Sequence, residues 1–170
     1  PKAGAPWLEG IDVSYVVDWP KARASAGLSF AIAKATQGAP GVTGYGNTNP
    51  AFAKNRDGMR SVLDFWGAYH WAIFSQDARK QAQAFVKALG AFDDRMLPPS
   101  VDAEWIYNDG LSPAGAPFPK TNGAQVIDFL YAFEEVIRNE TGRRPMIYSS
   151  AGWWNAIGDP IDPIQQAYAW

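Results

Sequence analysis

The feature that most constrains this chain is a repeated alternation of short β-rich runs with amphipathic helical segments. The runs fall at residues 10–14 (GIDVS), 28–35 (LSFAIAKA), 65–72 (FWGAYHWA), 100–105 (SVDAEW) and 145–149 (PMIYS), and a sixth begins at 166–170. Between the first two, Pro20 suits an N-terminal helical position and Gly27 a C-terminal stop. Asn49 and Pro50 open a second helix with Phe52 and Met59 on one face. Ser75 is the expected cap of a third, in which Ala78, Ala82, Phe85, Val86 and Leu89 keep helical spacing up to Gly90. Thr121 or Asn122 caps a fourth, whose Val126, Ile127, Leu130, Phe133, Val136 and Ile137 form a broad apolar face ending near Gly142. A short helix or turn, WWNAI, follows the fifth run. Strand-then-helix repetition dictates right-handed crossovers and an α/β fold with a parallel sheet, either open and doubly wound or closed into a barrel.

The two architectures put function in different places. An open nucleotide-binding sheet needs a glycine-rich phosphate turn after its first strand, whereas a barrel gathers catalytic groups at the carboxyl ends of several strands. The segment after GIDVS is YVVDWP, which has no glycine, so the phosphate cradle fails. Asp12, Lys34, Tyr69, Asp102, Glu104 and Tyr148 all fall in or at the ends of predicted strands, which is the barrel pattern.

Composition narrows the chemistry. With 170 residues, 47% of them hydrophobic, the chain can bury one core, and one domain is expected. Fifteen basic and seventeen acidic residues leave a net charge of −2 without a basic block, which argues against a nucleic-acid partner. No cysteine exists to serve as thiol nucleophile or zinc ligand, and the single histidine, His70, excludes a multi-histidine metal site. No apolar run approaches the roughly 18 residues of a bilayer span. Carboxylates must therefore carry any chemistry.

Asp102 and Glu104 are two apart on a predicted strand, so they leave the same face with Cα atoms about 6 to 7 Å apart. Proximity of like charges, or burial against aromatics, raises the pKa of one acid and leaves the other ionised. Chance alone supplies roughly 0.35 Asp-x-Glu triplets in a chain of this composition, so the weight lies in the apolar setting between Val101 and Trp105. Asp12 lies similarly between Ile11 and Val13, with a strand-end turn role as its structural alternative. Asp93, Asp94, Glu134, Glu135, Asp159 and Asp162 read as solvated helix-end, helix-surface or turn residues. Tyr69 and His70 alternate to opposite faces, and His70 reads as a hydrogen-bonded structural residue. Trp71 and Trp105, at strand ends, are candidate stacking surfaces for sugar rings.

Taken together, GIDVS at 10–14, SFAIAKATQG at 29–38, NPAFAKN at 49–55, GAYHWA at 67–72, SVDAEW at 100–105 and PMIYSS at 145–150 resemble the family 25 glycoside hydrolases, the Chalaropsis-type lysozymes that include many phage endolysins. The resemblance covers essentially the whole chain in order. It implies a modified TIM-like (β/α) barrel, no cofactor or metal, and hydrolysis of the β-1,4 bond between N-acetylmuramic acid and N-acetylglucosamine in peptidoglycan, with retention. It implies Glu104 as general acid, Asp102 and Asp12 as supporting carboxylates held ionised, and Tyr69, Tyr148 and Lys34 as residues near the sugar. Gln37 stands where the family usually has Glu. Residues 1–170 are expected to be a single catalytic domain, incomplete before the last two strands, with roughly 40 further residues completing the barrel. A bacterial cell-wall location, reached by secretion or phage delivery, peptidoglycan glycan strands as the partner, and a monomeric complete protein follow as expectations. Two rivals remain: a wall-binding pseudoenzyme that keeps the aromatics without turnover, and a hydrolase using Asp12, Asp102 and Glu104 as oxygen ligands for a divalent cation.

Overall fold

The computed structural model of the chain describes residues 7–42, 48–104 and 123–158. The expected cap at Thr121 or Asn122, the run at 166–170, Trp105, Asp159 and Asp162 lie outside the described residues.

The order is β1 (Gly10–Val13), α1 (Trp19–Ala26), β2 (Phe30–Gln37), α2 (Phe52–Val62), β3 (Phe65–Trp71), α3 (Ala78–Leu89), β4 (Ser100–Asp102), α4 (Gly123–Thr141), β5 (Met146–Tyr148) and α5 (Ala151–Ala156). All neighbouring strands pair in parallel, in the sheet order β1-β2-β3-β4-β5. A doubly wound sheet reverses its strand order at a switch point; this one does not. Four strand spacings of about 4.8 Å would hold β1 and β5 roughly 19 Å apart in a flat sheet. Gly10, Ile11 and Asp12 of β1 nevertheless line one cavity with Tyr148 of β5, so the sheet is curled into a half-barrel.

Small side chains let the helices close on the convex face. Ala31, Ala33 and Ala35 of β2 and Ala68 of β3 are completely buried there, beneath Phe85 of α3 and Phe133 of α4. An aromatic stack continues this layer through Phe129, Phe74 and Trp153. No described helix is long and apolar enough to cross a membrane.

Local signals act much as expected, with four corrections. Asp18 accepts from the Lys21 amide to start α1, and Gly27 ends it with φ 67°. The cap of α3 is Asp77, which accepts from Lys80 N at 3.0 Å, and not Ser75; the turn closed by Gln76 N on Ile73 O must come first, because Ile73 and Phe74 are buried. The second strand begins at Phe30, two residues after the expected start, since Leu28 packs into the core and Ser29 N is taken by Glu9 O. Asp93 is an anchor and not a solvated residue. It accepts from Trp66 Nε1 and Arg95 N and pairs with Arg60; desolvation opposes its charge, but these partners win and hold the carboxyl below its ordinary range. Glu134 likewise is buried, lying 3.6 Å from Arg138 and 3.5 Å from Arg144, which ties α4 to the approach of β5.

The loop that follows β1 is held by one buried side chain. Asn55 of α2 accepts from Val17 N and Trp19 Nε1 through its Oδ1, and donates from Nδ2 to Tyr15 O. Replacing it with alanine orphans three groups, and each unsatisfied buried group costs about 1–3 kcal/mol. We expect Asn55→Ala to lower the unfolding free energy by about 2–4 kcal/mol, read as a reduced denaturant midpoint with unchanged slope.

Candidate active site

The site is assembled at the carboxyl ends of the strands by sheet register. Gln37 pairs with Trp71, Trp71 with Asp102 and Asp102 with Tyr148, forming one row across β2, β3, β4 and β5. One step earlier, Lys34 pairs with Tyr69 and Tyr69 with Ser100. A cavity of about 330 Å³ opens over these rows, lined by Asp12, Tyr69, Trp71, Asp102, Glu104 and Tyr148, with Gly10, Ile11, Phe30, Ile32 and Ser100 as its apolar and small walls. A larger apolar hollow of about 570 Å³ shares Phe30, Ile32, Ser100 and Tyr148 and continues along the concave face.

A bulge in β2 sets which side chains face this cavity. Lys34 pairs with Tyr69 but Thr36 pairs with His70, so Ala35 is the extra residue. Ordinary alternation would send Lys34 and Thr36 to one face and Gln37 to the other. With the bulge, Thr36 turns to the convex face, and Gln37 joins Lys34 on the concave one. Lys34 Nζ donates to Gln37 Oε1 at 2.5 Å and sits 4.5 Å from the centre of the Trp71 ring.

His70 locks the bulge from behind. It is fully buried between Phe85 and Phe133, with Nδ1 2.7 Å from Thr36 Oγ1 and Nε2 2.8 Å from Gln81 Oε1. Gln81 Oε1 also accepts from Ile73 N while its Nε2 donates to Ile73 O. The amide oxygen therefore faces the ring, so His70 Nε2 donates and Nδ1 accepts from the Thr36 hydroxyl. That is the neutral tautomer, and burial accordingly lowers the His70 pKa to about 4. The structural role expected for His70 and the opposite facing of Tyr69 are both present.

Electrostatics within the cavity run against one expectation. Asp102 was expected to be ionised, yet it is buried, and its Oδ1 has no hydrogen-bond partner among the described residues. Desolvation, then Glu104 and Asp12, push its pKa up to about 7, against the pull of Lys34. Glu104 is raised by burial and by Asp12. Tyr69 is raised strongly by burial and by the three carboxylates, and Tyr148 chiefly by Glu104, so both phenols stay protonated donors. Lys34 is lowered by burial, with Asp102 opposing. Among the described residues no three His, Cys, Asp or Glu side chains form a metal-holding group.

Of the residues anticipated from the sequence, Asp12, Tyr69, Trp71, Asp102, Glu104 and Tyr148 meet in the cavity, and Lys34 caps one face of Trp71. Trp105 lies outside the described residues. Ser100 went unanticipated. Its hydroxyl is buried without a partner among the described residues and lines the cavity; counting back two from Asp102 on the same strand face would have found it.

Two buried groups make opposite pH predictions. His70, with folded pKa depressed, contributes stability that is present above its unfolded value near 6.5 and is lost as pH falls toward 4. Asp102, with folded pKa raised, costs stability that is fully felt above about 7 and is relieved as pH falls toward 3.8. The windows overlap, so the two contributions offset in the wild-type protein. We expect Asp102→Asn to melt higher than wild type at pH 8 and to lose stability steeply from pH 6.5 to 4. Thermal melts across that range check it; parallel pH curves for both proteins would refute the assignment.

Comparison with known proteins follows the same outline. The model of the family described as glycosyl hydrolases family 25 matches residues 11–170. Lysozyme M1 of Streptomyces globisporus is 31% identical over 154 residues, covering 87% of this chain and 48% of that protein. The N,O-diacetylmuramidase of a Chalaropsis species is 31% identical over 138 residues, covering 78% of this chain and 60% of that one. The chain thus spans about half to three-fifths of these curated relatives. Among solved structures, the bacterial lysozyme from Streptomyces coelicolor superposes with a TM-score of 0.71 at 28% identity, covering 89% of this chain and 67% of that one. A family 25 glycosyl hydrolase from Bacillus anthracis gives 0.74 at 22% identity, over 92% and 67% of the two chains, which is a likeness of fold.

Proposed function

The chain belongs to glycosyl hydrolases family 25, and from that premise we propose that it is a peptidoglycan hydrolase, cleaving the β-1,4 bond between N-acetylmuramic acid and N-acetylglucosamine with retention of configuration. The observation that carries the proposal is the meeting of Asp12, Asp102 and Glu104 with Tyr69, Trp71 and Tyr148 in one cavity at the strand ends. The relatives' names, lysozyme and N,O-diacetylmuramidase, support the same reading.

In this reading Glu104 is the general acid. Its raised pKa suits an acid that must hold its proton, and its position at the cavity lets it protonate the glycosidic oxygen as the C1–O bond breaks. The resulting carboxylate then takes a proton from the water that attacks C1. Retention requires two displacements at C1, the first by an enzyme carboxylate or by the substrate's own 2-acetamido oxygen. Asp102 and Asp12, when ionised, stabilise the positive charge that develops at C1. Tyr69 and Tyr148 donate hydrogen bonds from phenols that do not ionise at working pH, and Trp71 offers the ring face not covered by Lys34.

The reading extends to the architecture. The curled sheet, with strands in sequential order, is most of the inner wall of a modified TIM-like (β/α) barrel, and residues 1–170 belong to one catalytic domain. The substrate places its action at the bacterial cell wall, outside the cytoplasm.

The expected kinetics follow from the roles. Glu104→Gln, nearly isosteric, should cut peptidoglycan cleavage about 10²- to 10⁴-fold with the fold unchanged; more than about a tenth of wild-type rate would refute the acid assignment. Asp12→Asn and Asp102→Asn should lower kcat more than they raise KM, because an anion aimed at a cationic transition state acts chiefly there. NMR of fresh product should show the β-anomer first, with N-acetylmuramic acid at the new reducing end. Activity in EDTA should equal activity without it, and loss there would favour the cation-dependent rival.

A further inference from the structure

We propose that Gln81 is a positioning residue of the hydrolase site: its buried amide clamps the chain on both sides of Trp71 and so holds the indole that forms one wall of the cavity. This deepens the hydrolase reading and rests on it for what the indole binds.

The first ground is the bonding of the amide. Gln81 stands in the first turn of α3 and is fully buried behind the sheet beside His70. Its Oε1 accepts from His70 Nε2 at 2.8 Å and from Ile73 N at 3.1 Å, while its Nε2 donates to Ile73 O at 2.9 Å and to Gln76 O at 3.3 Å. Those bonds use both lone pairs and both hydrogens that an amide has. β3 ends at Trp71, so the residue before that end and the second residue after it hang on one side chain. Ile73 is buried past the strand, where its N–H and carbonyl must be paired by something other than the sheet. Gln81 supplies both partners.

The second ground is what lies between these anchors. Trp71 lines the carboxylate cavity. Its carbonyl accepts from Gly38 N at 3.2 Å, and the next amide, Ala72 N, donates to Asp102 O at 3.1 Å. A separate route reaches the ring itself. His70 Nδ1 lies 2.7 Å from Thr36 Oγ1, at the bulge that brings Gln37 beside Lys34, and Lys34 Nζ lies 4.5 Å from the centre of the Trp71 ring. Backbone and ring of one tryptophan therefore trace back to the same amide. An indole fixed in advance does not have to be ordered when a sugar stacks on it, so loosening it costs binding more than turnover.

The test combines kcat and KM on soluble peptidoglycan fragments with NMR of the same proteins. Gln81→Met, close in shape but without the four hydrogen bonds, should raise KM about tenfold, the scale of one aromatic stacking contact, with kcat little changed. Trp71→Ala should raise KM similarly, and adding Gln81→Met to it should raise KM no further, because both changes act on one contact. Gln81→Glu, which keeps the acceptor but lacks amide hydrogens for the Ile73 and Gln76 carbonyls, should raise KM in the same direction and serves if Gln81→Met does not fold. The indole N–H signal of Trp71, assigned by its loss in Trp71→Ala, should shift or split in both Gln81 variants. His70 is the only histidine in the sequence, so its ring nitrogens need no assignment and should show the proton on Nε2 in the wild type. An unchanged KM in the folded Gln81 variants or in Trp71→Ala overturns the proposal, as do additive effects in the double variant, an unmoved indole signal or a ring protonated on Nδ1 alone. Should the wild-type protein cleave nothing while the indole signal moves as stated, the hydrolase reading falls and the link from Gln81 to Trp71 stands.

Discussion

The arrangement of the cavity depends on an uncharged imidazole on the other side of the sheet. His70 has to accept from Thr36 and donate to Gln81 at once, and only the neutral ring can do both. Protonation would turn Nδ1 into a second donor facing the Thr36 hydroxyl, and would place a cation between Phe85 and Phe133 in a fully buried position. The chain resists this, which is why the His70 pKa falls to about 4. Thr36 held outward means Gln37 turned inward, so the tether on Lys34 is set by a hydrogen bond that never touches the cavity.

The same link explains why β2 and β3 can be mostly alanine, glycine and aromatic. Ala31, Ala33, Ala35 and Ala68 let the helical layer approach closely, and the space this leaves is filled by His70, Phe85 and Phe133. Gly67 opposite Ile32 admits Leu97, since a Cβ there would come within 3.3 Å of it. On the concave face Phe30, Ile32, Tyr69 and Trp71 form the wall against which a ligand would lie.

Much of this was legible because strands have a period of two. Tyr69 and Asp102 stand on one face and His70 on the other as alternation requires, and Glu104 joins Asp102 at the cavity although β4 ends at Asp102. The βα alternation fixed parallel pairing because each helix returns the chain to the same end of the sheet, and Gly27 and Gly90 marked helix ends through backbone conformations that other residues adopt at a cost. What stayed hidden was non-local. The bulge at Ala35 is created by a partner on another strand, so alternation through AKATQ misassigns Thr36 and Gln37. Asp93 became an anchor because Trp66 and Arg60, about thirty residues away in sequence, converge on it. Ser75 lost the cap of α3 to Asp77 because Ile73 and Phe74 had to be buried first.

Charge was the least legible property of the site, and the reason is general. Residue type fixes which groups can ionise, but burial and the net field of several neighbours decide which ones do. Asp102 and Glu104 look equivalent in SVDAEW. In the fold, Asp102 lies inside the sheet and is pushed to about 7 by burial, Glu104 and Asp12, whereas Glu104, just past the strand end and more open to solvent, is raised by burial and by Asp12. A division of labour with Glu104 protonated and Asp102 ionised therefore runs against burial. The uncharged histidine behind the sheet acts on backbone geometry, through the bulge that turns Gln37 toward Lys34, whereas inside the cavity burial and the mutual repulsion of the carboxylates push Asp102 and Glu104 toward their protonated forms.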